Sequence, residues 1–304
     1  MRLIWLLGPL LVAVVSLRSA TFAPPRGPEI SGVAIVRLHV TNLDASRKFY
    51  ANTLGLPQGS QGCFSPIGAA TCFFISPYQQ IELVSGDASE PVNAVQALGF
   101  QVADAGKLRQ YLLSSGVECG KVAVSNSGDS YVEARDPEGH RLLFLSSPGK
   151  GASLSLSPLS QQLIHAGFVV HDRAAEDRFY KDILGFHVYW HGGMKDGEDN
   201  WVDMQVPDGT DWIEYMLGVS PDASHKTLGV MNHIALGVPD IHAAEQQLIK
   251  NGWKPTEEPK IGRDGKWQLN LYDPDETRVE LMEFKPTKEP CCSPYTGPHP
   301  GPKQ

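Results

Sequence analysis

Four side chains on four separate apolar runs have the types and spacing of a metal site. They are His165, Glu214, His233 and Glu280, separated by 49, 19 and 47 residues. Two neutral imidazoles and two carboxylates suit a divalent transition metal that keeps open coordination positions. Alternation along each run sets their direction, because successive strand residues face opposite sides. In 278–282, Val279 and Leu281 share the face that should pack on a helix, which leaves Glu280 on the other, cup side. In 163–170, Ile164, Ala166 and Phe168 take the helix face and His165 the cup. Ile234, Leu236 and Val238 place His233 inward in the same way, and Glu214 goes inward with Trp212 in the short run 211–214.

A divalent ion there can bind two neighbouring oxygens of one substrate and stabilise an enediolate. A nearby carboxylate, Glu280 or Glu214, can then move the proton. That predicts isomerase or lyase chemistry on a small molecule with adjacent oxygens, with nickel, zinc, cobalt or manganese as the ion. The alternative is Fe(II): His165, His233 and Glu280 alone make the triad of a dioxygenase that cleaves a catecholic diol. Glu214 is surplus to that triad and crowds the oxygen position, so the isomerase or lyase reading leads. A third reading is a non-catalytic small-molecule-binding protein. Parity extends the cup wall. If Val202, Met204 and Val206 face a helix, Trp201, Asp203 and Gln205 face the cup; if Trp267, Leu269 and Leu271 pack outward, Gln268, Asn270 and Tyr272 point in. Trp201, Asp203, Trp212 and Asn270, with Arg263 in a Gly/Asp loop near the mouth, are the expected substrate contacts. Asp203 is the candidate substitute ligand.

An internal repeat positions these runs. Phe49-Tyr50-Ala51-Asn52-Thr53-Leu54-Gly55-Leu56 matches Phe179-Tyr180-Lys181-Asp182-Ile183-Leu184-Gly185-Phe186 at an offset of 130. Each copy follows an apolar run and a helix start with a capping side chain, Asn42 or Asp44 in one and Asp172 in the other. A weaker pair begins at Phe100 and Leu236, and closes on the turns Asp136-Pro137-Glu138-Gly139 and Asp273-Pro274-Asp275-Glu276. The result is four units of roughly fifty residues, each strand–helix–three strands, which bury their sheets only in pairs. At the positions equivalent to the four ligands, the first half holds Ile35, Glu82, Ala97 and Leu143. That set cannot hold a metal, so the first half is expected to be a structural or substrate-shaping partner.

The run 179–186, the strand 232–238 and Asp273-Pro274-Asp275-x-x-Arg278-Val279-Glu280-Leu281 together carry a resemblance. The chain looks like the vicinal oxygen chelate superfamily of glyoxalase I, extradiol dioxygenases and bleomycin-resistance proteins, over about 32–285. The resemblance implies an α+β fold: four βαβββ modules forming two paired, cupped mixed β-sheets with helices on the outer faces. The ligand order in the C-terminal half is similar to the His-Glu-His-Glu order of bacterial-type glyoxalase I. The implied domains are an N-terminal one at 32–148, with a degenerate metal site, and a C-terminal one at 161–286, with the metal. Linkers are expected at 24–31 and 149–160.

Composition sets the remaining limits. The chain has 304 residues, 41% hydrophobic and 20% charged, with a net charge of −8. No basic excess exists to neutralise phosphates, so nucleic acid is excluded as a general partner. One positive charge at Arg2 followed by the apolar run 3–17 reads as an export signal over 1–23. The expected location is periplasmic or secreted, with anchoring to a membrane by an uncleaved signal as the alternative. Four modules complete a cup without a partner, so a monomer or a homodimer is allowed. Of five cysteines, Cys63 and Cys72 flank a turn and are either bridged or unlinked, and Cys291-Cys292 lies in a Pro/Gly tail, 287–304, expected to be disordered.

Overall fold

The computed structural model describes residues 27–59, 63, 70–86, 95–125, 128–146 and 157–302. The export signal at 1–23 and the first part of the linker 149–160 lie outside them. The first sheet contains β1 (Ile30–Val40), β2 (Thr71–Ser76), β3 (Gln79–Ser85), β4 (Val95–Val102), β5 (Ala123–Val124), β6 (Ser130–Arg135) and β7 (Arg141–Ser146). Their spatial order is β2-β3-β1-β4-β7-β6-β5. The second sheet contains β8 (Leu163–Val169), β9 (His187–Gly192), β10 (Trp201–Gln205), β11 (Trp212–Met216), β12 (His233–Val238), β13 (Lys260–Ile261), β14 (Trp267–Tyr272) and β15 (Arg278–Glu283). Their order is β13-β14-β15-β12-β8-β11-β10-β9. Both sheets are mixed: β1 with β4 and β8 with β12 are antiparallel, and each of these four strands has a parallel partner on its other side.

The helices are short and capped by acceptor side chains. Asn42 begins α1 (Leu43–Lys48), Asp104 begins α2 (Ala105–Ser114) and Asp172 begins α3 (Arg173–Glu176). Ser224 begins α4 (His225–Met231) and Asp240 begins α5 (Ile241–Lys250). Each accepts from the backbone N–H three residues on, satisfying a donor the helix leaves free. Helices α1 and α3 continue as π-helical turns, Phe49–Thr53 and Asp177–Ile183, which carry the repeated Phe-Tyr pairs. Gly55 and Gly185, at φ 64 and 82, then turn the chain in the left-handed region. In α5, Ile241, Ala244 and Leu248 are the buried residues, one stripe of the helix.

The helix-facing sides of both sheets share a single apolar core, which takes in Val36, Tyr50, Leu108, Phe168, Tyr180, Leu248 and Leu281. Polar bolts cross between the halves inside it. Tyr50 OH donates to Asp273 Oδ2 at 3.2 Å, and Tyr180 OH donates to Asp136 Oδ2 at 3.1 Å. Each Phe-Tyr turn thus grips the Asp-Pro turn of the other half. Gln79 Nε2 donates to Val33 O and Leu163 O, at 2.9 and 2.8 Å, and Gln79 Oε1 accepts from Leu163 N at 3.0 Å. Burial dominates the titration of these corners: it pushes Asp273 up to about 6 and, with Asp136 next, Glu176 up to about 8.

Several expectations are corrected. The tail is ordered: residues 287–302 form a strap along β9. Trp190 Nε1 donates to Cys291 O, Thr296 N donates to Tyr189 O, and Tyr295 OH donates to Asp264 O at 2.7 Å. Backbone hydrogen bonds and one partly buried tyrosine, Tyr295, do what the missing aliphatic residues do not. Residues Ser157, Leu159 and Ser160, placed in a linker, are buried in the fold. Strand β1 begins at Ile30, inside the other expected linker. Ile164 packs with Trp212 and Met282 on the cup side, because the register slips between Ala235 and Leu236 where β12 meets β8. Cys63 and Cys72 form a disulfide, as do Cys291 and Cys292.

Candidate metal centre

Strands β8, β11, β12 and β15 bring His165, Glu214, His233 and Glu280 together on the cup side of the second sheet. His233 Nε2 lies 2.9 Å from Glu214 Oε2 and 3.0 Å from His165 Nε2, and His165 Nε2 lies 3.5 Å from the same carboxylate oxygen. Glu280 stands slightly back, its Oε2 3.9 Å from both imidazole nitrogens and 3.8 Å from Arg278 Nη1. The tight group is therefore His165, Glu214 and His233.

The orientation of His233 tests whether these residues suit a cation. Its Nδ1 donates to Met231 O at 2.9 Å, which leaves Nε2 with a lone pair. That lone pair faces a carboxylate oxygen, on a side chain 13% exposed, and a second, buried imidazole nitrogen, a donor set that suits a cation between the atoms. Burial depresses both imidazoles below their ordinary value, with the neighbouring ring adding to the effect on His165 and Arg278 to that on His233. Neutral imidazoles are the ligating form. Burial raises Glu280 to about 7 and Glu214 adds to this, while Arg278 opposes it. Glycine makes room: a Cβ on Gly167 would run into the His233 ring.

Around this group is a cavity of about 470 Å³. Its wall includes Trp201, Asp203, Trp212, Asn270 and Arg263, so all five expected substrate contacts line one space. Trp212 lies against the His165 ring, with centroids 4.8 Å apart. Burial, then Glu214, pushes the Asp203 carboxyl well above the ordinary range. Asn270 Nδ2 donates to Glu257 at 3.1 Å while its buried Oδ1 has no partner. Arg263 is paired with Asp196 at the mouth. Gln205 is turned to the strap, donating to Pro298 O, and Tyr272 is exposed at the rim, bonded to Glu257.

Three charged groups near the site were given no role by the sequence. Arg278 shares the Glu280 face by simple parity, so its place was available. Lys266 is fully buried with its Nζ 4.5 Å from the Trp212 ring centre and near Tyr189 and Tyr295. Burial lowers its pKa. Asp264, also buried, accepts from Gln268 Nε2 at 3.1 Å. No compositional signal predicts a lysine caged by aromatic rings.

The first half differs at the equivalent positions. Ile35 and Leu143 are buried in a small apolar cluster, Ala97 is buried, and Glu82 is paired with Arg37 at 2.8 Å.

Known proteins share this architecture. The model of the Glyoxalase/Bleomycin resistance protein/Dioxygenase superfamily matches residues 32–144 and 162–281. A probable chloroplastic lactoylglutathione lyase of Arabidopsis thaliana is 23% identical over 237 residues, 73% of this chain; the chain spans 58% of that protein's length. Among solved structures, the Mn(II)-bound glyoxalase of Novosphingobium aromaticivorans superposes with a TM-score of 0.63 at 17% identity, over 84% of this chain and 83% of that one. A variant of homoprotocatechuate 2,3-dioxygenase from B. fuscum superposes at 0.61 and 20% identity, over 84% and 72%. At these identities the structural likeness shows the fold alone.

Proposed function

The chain belongs to the Glyoxalase/Bleomycin resistance protein/Dioxygenase superfamily, and we propose that it is a glyoxalase-like metalloenzyme. Its substrate is a small molecule with adjacent oxygens, and its chemistry is of the isomerase or lyase type. The observation that carries this reading is the second carboxylate: Glu214 Oε2 reaches both imidazole nitrogens, at 2.9 and 3.5 Å. A ferrous dioxygenase site uses two imidazoles and one carboxylate and leaves the remaining positions free. Here Glu214 occupies that space.

Nickel, zinc, cobalt or manganese, when bound, supplies Lewis acidity to the two substrate oxygens. His165, Glu214, His233 and Glu280 are the residues that would hold it. Glu280, set back and beside Arg278, is the group we assign to take and return the substrate proton, with Glu214 as its alternate. Trp201 and Trp212 exclude water, the free Oδ1 of Asn270 accepts from a substrate hydroxyl, and Asp203 and Arg263 orient the polar end. We also read 1–23 as an export signal; the Cys63–Cys72 bridge fits an oxidising compartment.

The test is elemental analysis of protein purified without chelator, beside Glu214→Gln/Glu280→Gln, with a turnover panel of α-hydroxycarbonyl compounds and thiol–2-oxoaldehyde adducts. The expected result is an equivalent of nickel, zinc, cobalt or manganese that the double variant loses, and metal-dependent turnover. Iron retained in Glu214→Gln, with ring cleavage of catechols, would establish the dioxygenase instead. No metal lost with the carboxylates, and ligand binding without turnover, would leave a binding protein.

A further inference from the structure

A second cluster of ligand-type side chains lies where the Phe-Tyr turn of one half meets the Asp-Pro turn of the other. Asp136, His140 and Glu176 offer two carboxylate oxygens and an imidazole nitrogen, all within 4.8 Å of one another. The side chains of Asp136 and Glu176 are fully buried. Asp136 Oδ2 accepts from Tyr180 OH at 3.1 Å and lies 2.7 Å from His140 Nδ1. Glu176 Oε1 accepts from Glu138 N at 3.0 Å.

Its hydrogen bonding is incomplete. Glu176 Oε2, Tyr215 OH and Asp177 Oδ1 are all buried without a partner. Asp136, Glu176 and Asp177 all act electrostatically on Tyr215. Buried acceptors are nearly always satisfied, and a buried carboxylate oxygen without a partner is costly. Arg173 is drawn to Asp177 and Asp199 instead, at 3.6 and 3.2 Å. The corner therefore leaves a buried carboxylate oxygen, Glu176 Oε2, that no donor of the chain reaches.

The same chain carries a comparison corner. There Tyr50 replaces Tyr180 and Asp273 replaces Asp136, with the same tyrosine–carboxylate bond. Ser46, 130 residues before Glu176, and Thr277, four residues after Asp273 as His140 is after Asp136, stand where the other two ligands would be. Both hydroxyls are buried. The unpartnered atoms of one corner are neutral hydroxyls, Ser46 Oγ and Thr277 Oγ1, and in the other a carboxylate and an imidazole stand in their places.

We propose that Asp136, His140 and Glu176 bind a divalent cation that ties the two halves together. One imidazole and two carboxylates select a borderline ion, zinc or manganese, over calcium or magnesium. The chain supplies an entry path. His140 is partly exposed, with 13% of its side chain accessible. A cleft of about 580 Å³ lined by Cys119, Glu133, Arg135 and Phe179 reaches Asp136. The ion is structural: the cluster's remaining sides are filled by Tyr180, Tyr215 and the apolar core. This site is independent of the cup reading.

The experiment uses the full chain and counts bound metal. Protein carrying Glu214→Gln/Glu280→Gln is dialysed against zinc, then manganese, and assayed for bound ion. One equivalent is expected to remain, and the ion is expected to raise Tm, because a ligand bound only by the native state stabilises it. Adding His140→Thr/Glu176→Ser, which installs the residues of the comparison corner, is expected to remove that equivalent and the Tm response. Full retention of metal in this four-fold variant would overturn the assignment. So would the absence of any bound zinc or manganese before the corner is changed; that result needs no statement about how the four-fold variant folds. Loss of the cup equivalent alone bears only on the proposed function.

Discussion

Gly167 is the residue on which the position of His233 depends. It lies on β8 opposite His233, on the same cup side as His165, and the imidazole occupies the space a methyl group would take. Gly167→Ala must push the ring away from Glu214 and His165. Displacing one ligand leaves the strand hydrogen bonds intact, so the fold should survive while metal affinity falls, by about ten- to a hundredfold, as for lost orienting contacts. Competition with a chromophoric chelator, with circular dichroism as the fold control, checks this. Unchanged affinity would mean that His233 is not a ligand. At this scale much was legible. Parity alone put four ligand-type residues on one side of one sheet, because strand alternation is a rigid rule. It failed at Ile164, where one slipped residue in the β8–β12 register turns the side chain inward. Parity was silent on Lys266, whose burial depends on rings from Tyr189, Trp212 and Tyr295 that are distant in sequence.

At the scale of elements, the repeated Phe-Tyr and Asp-Pro motifs were visible as a pattern but not as partners. Their spacing showed that they recur; only the packed halves show that each Phe-Tyr turn bonds to the Asp-Pro turn of the opposite half. The strap at 287–302 was missed for a different reason. Its sequence, rich in Pro and Gly, offers no apolar period, and it is held instead by backbone bonds to β9 and by Tyr295. The Tyr295 ring lies 4.7 Å from that of Tyr189, its hydroxyl bonds Asp264, and Lys266 sits over its face. Tyr295→Ala removes all three contacts and opens the cage around a buried cation. Because the ring is only partly buried, it should cost about 1–3 kcal/mol, within the usual range for a destabilising single substitution. Urea unfolding with an unchanged slope would measure it. A loss below about 0.5 kcal/mol, the level of ordinary surface substitutions, would mean that the strap contributes little. Because Asp264 lines the cavity and Lys266 lies over the Trp212 ring, the strap joins the integrity of the site to residues 287–302.

For the whole molecule, the central question is whether the two sheets are two folding units or one. Their helix-facing sides share a single core, and the bolts through it are made by residues from both halves. Gln79 is the most connected of these. Its amide donates to a carbonyl of β1 and to one of β8, and its carbonyl accepts from β8, so one side chain from the first sheet satisfies backbone groups in both. Gln79→Ala leaves those buried groups without that partner, at about 1–3 kcal/mol for each that water cannot reach. If the halves were autonomous, the loss would fall on their contact alone, and the first sheet would unfold separately from the second. A shared core predicts otherwise. The fluorescence of the tryptophans, all of which within the described residues lie in the second half, should lose stability together with far-ultraviolet dichroism, which reports both sheets. The two midpoints should shift by the same amount, about 2 kcal/mol or more. Two separated transitions in Gln79→Ala would show that the first half is a detachable domain. Coincident ones would mean that the first half is needed to hold the strands that carry His165, Glu214, His233 and Glu280.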